Sequence, residues 1–231
     1  ISMHKNNIGL LLISTGNYHV FIDQLIISAR KYFMNNHNVT FFLFTDSDKF
    51  THADDIVLIP HEHKPWPLPT LYRYKTFNAN KQLLFNMDYL YYCDIDMLFV
   101  DDVGDEAIGN LVSTIHPGFC GSCGTPERRP ESLAYLPIGT PNTYFAGGFN
   151  GGKRDNFLQM CNIIDMNIDT DLVNNIIAVW HDESHMNNYM YFNKPDVILD
   201  PGYCYGESML LPYVKRLLAL NKNHAQIRAA I

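Results

Sequence analysis

Two short stretches set carboxylates among apolar residues, and their spacing limits what they can do. The first is YLYYCDIDMLFV, residues 89–100, where Asp94 and Asp96 interrupt a run that otherwise reads as a buried strand. A buried carboxylate without a partner is costly, so it must be paired, exposed or bound to a cation. The nearest basic residue in sequence is Lys81, which is no local partner. In an extended chain residues i and i+2 share a side, so both carboxylates would face one way while Ile95 turns to the core. That arrangement suits a hard cation completed by water and phosphate oxygens. A pair of solvated turn aspartates is the plainer alternative.

The second stretch is AVWHDESHMNNYMYF, residues 178–192. A helix beginning near Asp182 would put Glu183, Met186, Asn187 and Met190 on one face. His181 and His185 are four apart, as in a zinc-binding H-E-x-x-H helix, which gives a zinc hydrolase as a rival reading. That motif needs its Glu directly after the first His, whereas Asp182 stands there and Glu183 comes next. A shift of one residue turns the carboxylate by ~100° about the helix axis, away from its working position. Asp182 could instead cap the helix, which leaves Trp180 and His181 without a role. Between the two stretches, YFAGGFNGG (144–152) lets backbone approach a ligand or a second strand at Gly147 and Gly148. It lacks the G-x-G-x-x-G order of a dinucleotide fingerprint. The tail carries Lys215, Arg216, Lys222, His224 and Arg228 with no acid after Glu207. It reads either as a solvated basic end or as a segment that closes over phosphate.

The elements that must position these groups alternate. IGLLLIS (8–14), VTFFLFTD (39–46) and IVLIP (56–60) read as strands, and FIDQLIISARKYFM (21–34) as a helix. Thr70 to Phe85 reads as a second helix after three prolines, and YLYYCDID as the fourth strand, ending at the aspartates. Helices are expected from about Arg154 and after Trp180, beyond a Gly/Pro/Ser-rich loop over 117–142. The pattern predicts an α/β fold with a Rossmann-like, mainly parallel sheet flanked by helices. Ligands of such sheets bind beyond the carboxyl ends of the strands, where Asp94 and Asp96 would lie.

The 231 residues fit one domain, and 47% hydrophobic with 18% charged residues supports a folded core. A formal charge of −7 argues against a nucleic-acid scaffold. No apolar run approaches the ~20 residues that span a bilayer, so a soluble, cytoplasmic protein is expected. Five cysteines include one C-x-x-C, Cys120 and Cys123, with no second pair to complete a zinc site; reduced thiols are expected.

CDIDM, HPGF (116–119), ERRP (127–130), AVWHDESH (178–185) and KNH (222–224) occur here in an order and spacing that resemble glycosyltransferase family 6. That family includes the histo-blood-group A and B transferases, and the similarity runs from about Ile8 to Arg228. It implies a single GT-A domain, with a nucleotide-sugar half over about 8–115 and an acceptor half with the tail over about 116–231. It further implies a UDP-sugar donor, Mn²⁺, and retaining α-1,3 transfer to O3 of a β-galactoside. By resemblance, Asp94 and Asp96 are metal and diphosphate ligands, and Tyr18, Ile13 and Thr15 hold uridine. Arg73 lies near the donor sugar, Asp182 binds donor hydroxyls, and Glu183 is the nucleophile or front-side stabiliser. Lys222, His224 and Arg228 match tail residues over the diphosphate. His116, Thr125 and Trp180 fall on the acceptor site. Gly118 and Ala146 match positions that tune the donor sugar, and their small size favours GalNAc over galactose.

The chain resembles the short soluble bacterial and phage members. Many of those have N-x-N and dispense with metal, whereas both aspartates are present here, so metal dependence is expected. A shorter loop after Phe119 bears on Thr125. Gly206 stands where the family has an acceptor-binding aspartate, leaving Glu207 as its substitute and a fucosylated acceptor an open choice. A carbohydrate- or nucleotide-sugar-binding protein without turnover is the alternative of a different class.

Overall fold

A computed structural model describes residues 4–222. Its first half runs β1 (Asn7–Ser14), α1 (Ile22–Tyr32), β2 (Asn38–Thr45), β3 (Ile56–Pro60), α2 (Leu68–Leu71), α3 (Arg73–Ala79) and β4 (Tyr89–Cys93). Then follow β5 (Met97–Phe99), β6 (Leu111–Ile115), β7 (Phe145–Lys153), α4 (Arg154–Val173) and α5 (His181–Phe192). The short strands β8 (Val197–Leu199), β9 (Tyr205–Gly206) and β10 (Leu217–Ala219) come last. Seven strands form one sheet in the order β3-β2-β1-β4-β7-β6-β8, and β5-β10-β9 form a small second sheet. Strands β3, β2, β1 and β4 are mutually parallel, and β7 runs antiparallel to both β4 and β6. This is the expected α/β architecture of a single GT-A-type domain.

Both sheet faces are covered, which explains why the strands read as unbroken apolar runs rather than alternating ones. Leu10, Leu12, Phe41, Leu43 and Tyr91 enter a core shared with α1. Leu11, Phe42, Phe44, Leu90 and Tyr92 enter a second core with residues of α3, α4 and α5. The sheet reverses its winding at β1, which has β2 on one side and β4 on the other. The carboxyl ends of β1 and β4 therefore open a crevice, the usual ligand position in open parallel sheets. No helix among the described residues is long and apolar enough to cross a membrane.

The helices starting near Arg154 and Trp180 form where the sequence places them, and the 21–34 helix forms over Ile22–Tyr32. Two expectations are corrected. The helix expected over Thr70–Phe85 is α helix only over Arg73–Ala79. It ends where the Asn80 side-chain amide donates to the Thr76 carbonyl at 2.8 Å, and a 3-10 turn follows. The strand expected over YLYYCDID stops at Cys93, and the run resumes as a second strand after a turn at Ile95 and Asp96. The Asp94 N–H donates to the Gly148 carbonyl at 2.9 Å, and Ile95 is buried as expected. Met97–Phe99 then leave the large sheet to pair with β10.

Candidate active site

A cleft of about 430 Å³ opens at the carboxyl ends of β1 and β4. Ile13, Thr15 and Tyr18 line one end, Asp94 and Asp96 the middle, and Arg73 and Tyr92 its inner wall. The Thr15 hydroxyl lies 2.9 Å from His63 Nδ1, so the segment after β3 is fastened to the end of β1. Lys222 closes the cleft from the C-terminal side. Its ammonium pairs with Asp96 and stands 5.0 Å from the centre of the Tyr18 ring. Six of the residues expected to hold a nucleotide diphosphate thus surround one space.

Arg73 organises the charges. It is 8% exposed and its guanidinium lies 4.3 Å over the Tyr92 ring. One nitrogen pairs with Asp182 at 2.9 Å and another with Asp94 at 3.4 Å. The Tyr92 hydroxyl donates to Asp94 Oδ1 at 2.6 Å. Burial pushes the Asp182 carboxyl up to about 6, with Arg73 opposing and Asp94 adding to the rise. Asp182 is therefore held by a buried ion pair rather than capping α5, whose first residue is His181.

Glu183 has a different environment. Its Oε1 accepts from the Tyr144 hydroxyl at 2.7 Å and its Oε2 from the Gly147 N–H at 2.8 Å. No ion pair joins it to a basic side chain among the described residues. Burial raises its carboxyl to about 7, although both hydrogen bonds favour the charged form. The tandem glycines of β7 make room for both carboxylates. A Cβ at Gly147 would lie 3.3 Å from Glu183 Oε2, and one at Gly148 3.1 Å from Asp94 Oδ2. As expected, Met186, Asn187 and Met190 face inward on α5. Asn187 brackets Phe145, accepting its N–H and donating to its carbonyl, which fixes α5 against β7.

Of the residues expected at the acceptor site, His116 and Thr125 meet at Tyr144. His116 follows β6, donates its N–H to the Tyr144 carbonyl and sets its ring 5.6 Å from the Tyr144 ring. Burial lowers the basicity of that imidazole. The Thr125 side chain hydrogen-bonds to the Tyr144 hydroxyl, so Thr125, Tyr144 and Glu183 form a chain despite the short loop. Trp180 is 52% exposed immediately before α5. Gly118 is exposed on the loop after His116, and Ala146 is buried in the sheet; neither lines the cleft described above. Glu207 is exposed and accepts the Asn221 N–H at 2.7 Å, so its hydrogen bond goes to the segment before Lys222. His224 and Arg228 lie outside the described residues.

The histidines of the rival zinc reading serve different neighbours. His181 Nδ1 lies 3.2 Å from the Thr70 hydroxyl, whereas His185 is buried with Nε2 3.4 Å from Asp171. No group of three His, Cys, Asp or Glu side chains converges on a metal position among the described residues. Asp94 and Asp96 nonetheless fit a hard divalent cation that draws its remaining oxygens from a ligand. Tyr92 and Arg73 both engage Asp94 Oδ1, and the position beside Asp96 already attracts a cationic group, Lys222.

The sequence reading missed Tyr92 and Tyr144. The first was legible, because it stands two residues before Asp94 on a strand and shares its side. Tyr144 opens the glycine-rich stretch, but only the turn of α5 towards β7 shows that it reaches Glu183.

Comparison with known proteins agrees with this arrangement. The chain is 33% identical to Histo-blood group ABO system transferase 1 of Rattus norvegicus, over 98% of its own length and 70% of the relative's. It is 30% identical to Globoside alpha-1,3-N-acetylgalactosaminyltransferase 1 of Gallus gallus, over 96% of this chain and 69% of that one. It is 32% identical to O-antigen biosynthesis glycosyltransferase WbnI of Escherichia coli, over 81% and 83% respectively. The glycosyltransferase family 6 pattern matches residues 2–229. On that match and these relatives, the chain belongs to glycosyltransferase family 6.

Proposed function

We propose that the protein transfers GalNAc, or galactose, from its UDP conjugate to O3 of a β-galactoside with retention, forming an α-1,3 linkage, with Mn²⁺ bound by Asp94 and Asp96. The observation that carries this reading is Glu183, a carboxylate held by Tyr144 and the Gly147 N–H. In this mechanism Tyr18 stacks on the uracil, and Ile13 and Thr15 hold the rest of the uridine. Asp182, kept in place by Arg73, accepts hydrogen bonds from donor hydroxyls. As the bond from C1 to the diphosphate breaks, positive charge develops at C1, and Glu183 stabilises it from the β7 side. Lys222, joined by His224 and Arg228, takes up negative charge on the departing UDP. Bound Mn²⁺ would supply Lewis-acid stabilisation of that same leaving group. His116, Thr125 and Trp180 present the acceptor, with Tyr144 linking Thr125 to Glu183.

The relatives named for globoside α-1,3-N-acetylgalactosaminyl transfer favour GalNAc as the donor sugar. The test is UDP release from UDP-GalNAc and from UDP-galactose, each with a β-galactoside and its 2-fucosylated form, in Mn²⁺ and in EDTA. Proton NMR of the product's anomeric centre reads the linkage. Mn²⁺-dependent release that favours UDP-GalNAc and yields an α-anomer is expected. Activity that survives EDTA would remove the metal from the mechanism. Binding of UDP-sugar and galactoside without release would identify a sugar-binding protein instead.

A further inference from the structure

Of the five cysteines, Cys93, Cys161 and Cys204 are buried, and burial raises their thiols far above the ordinary range. Cys120 is exposed and Cys123 half-buried. These two reach solvent from the same loop, three residues apart, between His116 and Thr125. The loop is clamped at both ends on one ring. His116 and Phe119 lie 5.6 and 5.4 Å from the Tyr144 ring before the cysteines. After them Gly124 sits on the same ring, where a Cβ would come within 2.2 Å of Tyr144 Cγ. Between the clamps the chain makes a turn, with the Ser122 N–H donating to the Phe119 carbonyl at 3.2 Å. Gly121 adopts φ +72° in that turn, with nothing within 4 Å of a Cβ placed there. The thiols make only long contacts to carbonyls, Cys120 to His116 and Pro117 at 3.8 and 3.7 Å and Cys123 to Gly124 at 3.9 Å. The arc that carries both sulfurs is thus open, tightly turned and lightly held.

We infer that Cys120 and Cys123 form a thiol–disulfide exchange site for low-molecular-weight disulfides, and that its oxidised form fixes the loop facing the acceptor. The acceptor part of this inference rests on the reading of His116 and Thr125 given above. One cysteine, as thiolate, attacks a small disulfide such as oxidised glutathione, forming a mixed disulfide and releasing one glutathione thiolate. The second cysteine, as thiolate, attacks the protein sulfur of that bond and releases the other glutathione. Two protein thiols become one disulfide, one small disulfide becomes two thiols, and the two protein protons end on the released glutathiones. A C-x-x-C pair is the spacing at which such exchange is common, and the Phe119–Ser122 turn bends the chain that separates the two cysteines. Bridging draws Cys120 away from the His116 and Pro117 carbonyls. It shortens the arc between the Tyr144 clamps, so the two ends of the loop move together.

The test equilibrates the full chain with glutathione mixtures from reduced to oxidised, followed by acid quenching, alkylation and peptide mass mapping. The expected result is a single Cys120–Cys123 disulfide, two hydrogens lighter than the reduced protein, absent from the C120S/C123S double variant. Hydrogen exchange over residues 116–125 should slow on oxidation. The KM for a β-galactoside should change several-fold while the affinity for UDP stays the same, and the double variant should not respond. Cysteines that remain fully alkylatable in the most oxidising mixture, or that stop at the mixed disulfide, would overturn the inference. A disulfide that leaves hydrogen exchange unchanged would overturn its link to the loop. If disulfide and exchange respond but no galactoside is used in either state, the thiol site stands and the acceptor reading falls.

Discussion

Two carboxylate pairs, one lining the cleft and one behind Arg73 on α5, are treated in opposite ways by the fold. Asp94 and Asp96 leave the end of β4 and meet cationic partners, Arg73 and Lys222. Asp182 and Glu183 stand in the first turn of α5, and among the described residues only Asp182 meets a cation, again Arg73. Glu183 is held by a phenol and a backbone N–H. The contrast separates two kinds of electrostatic work. A site already balanced by side-chain cations can exchange one of them for a metal or arrange a diphosphate. A carboxylate stabilised only by neutral donors keeps an unbalanced charge for a positive centre that appears during reaction.

The sharpest way to break this comparison is Arg73→Ala, which removes the cation common to both pairs. Leaving Asp182 buried and uncompensated should cost about 3–5 kcal/mol of stability, read from denaturant unfolding. A variant as stable as the parent would show that Asp182 is neutral in the folded protein. Next, Glu183→Gln keeps the shape but removes the charge and turns one of the two accepting oxygens into a donor. Transfer should fall on the order of 10²–10³-fold while UDP affinity, measured calorimetrically, is unchanged. Equal turnover by this variant would reassign the work of Glu183. Asp94→Asn addresses the other pair and should act on binding, weakening Mn²⁺-dependent UDP affinity by roughly 10–100-fold with a smaller effect on turnover of bound donor. If the same loss appears in EDTA, the aspartate serves the nucleotide without a metal.

The smallest expected effect is also the most specific. With its carboxyl raised to about 7, Glu183 becomes charged as pH rises through that value, so turnover should climb across neutrality and then level. Tyr144→Phe removes a donor to the charged form and should move this rise to higher pH. The pH dependence of UDP binding should stay as it was. A rise that does not move would mean that a group other than Glu183 titrates in turnover.

The sequence made the two pairs visible to different depths. Asp94 and Asp96 stood out because carboxylates are rare in an apolar strand, and a strand end is the known ligand position of a parallel sheet. Their direction was expected from strand geometry, yet the chain actually turns at Ile95, and buried Ile95 keeps the carboxylates outward. What compensates them was hidden. Arg73 sits in a different element, where residue spacing gave a long helix and the structure gives a short one ended by Asn80. Tyr144 was hidden more deeply, since its reach to Glu183 depends on how α5 meets β7. Local patterns mark the strands, helices and outlying charges; pairings across elements belong to the packed molecule.

Arg73 also bears on how this chain becomes an enzyme at all. Its guanidinium can leave water only when Asp94 and Asp182, from opposite halves of the sequence, are both in place. A nascent chain that has made its first four strands still lacks α5, and so cannot close this charge triangle. The last element to supply a carboxylate therefore completes the buried ion pair, and sets Glu183 in place with it.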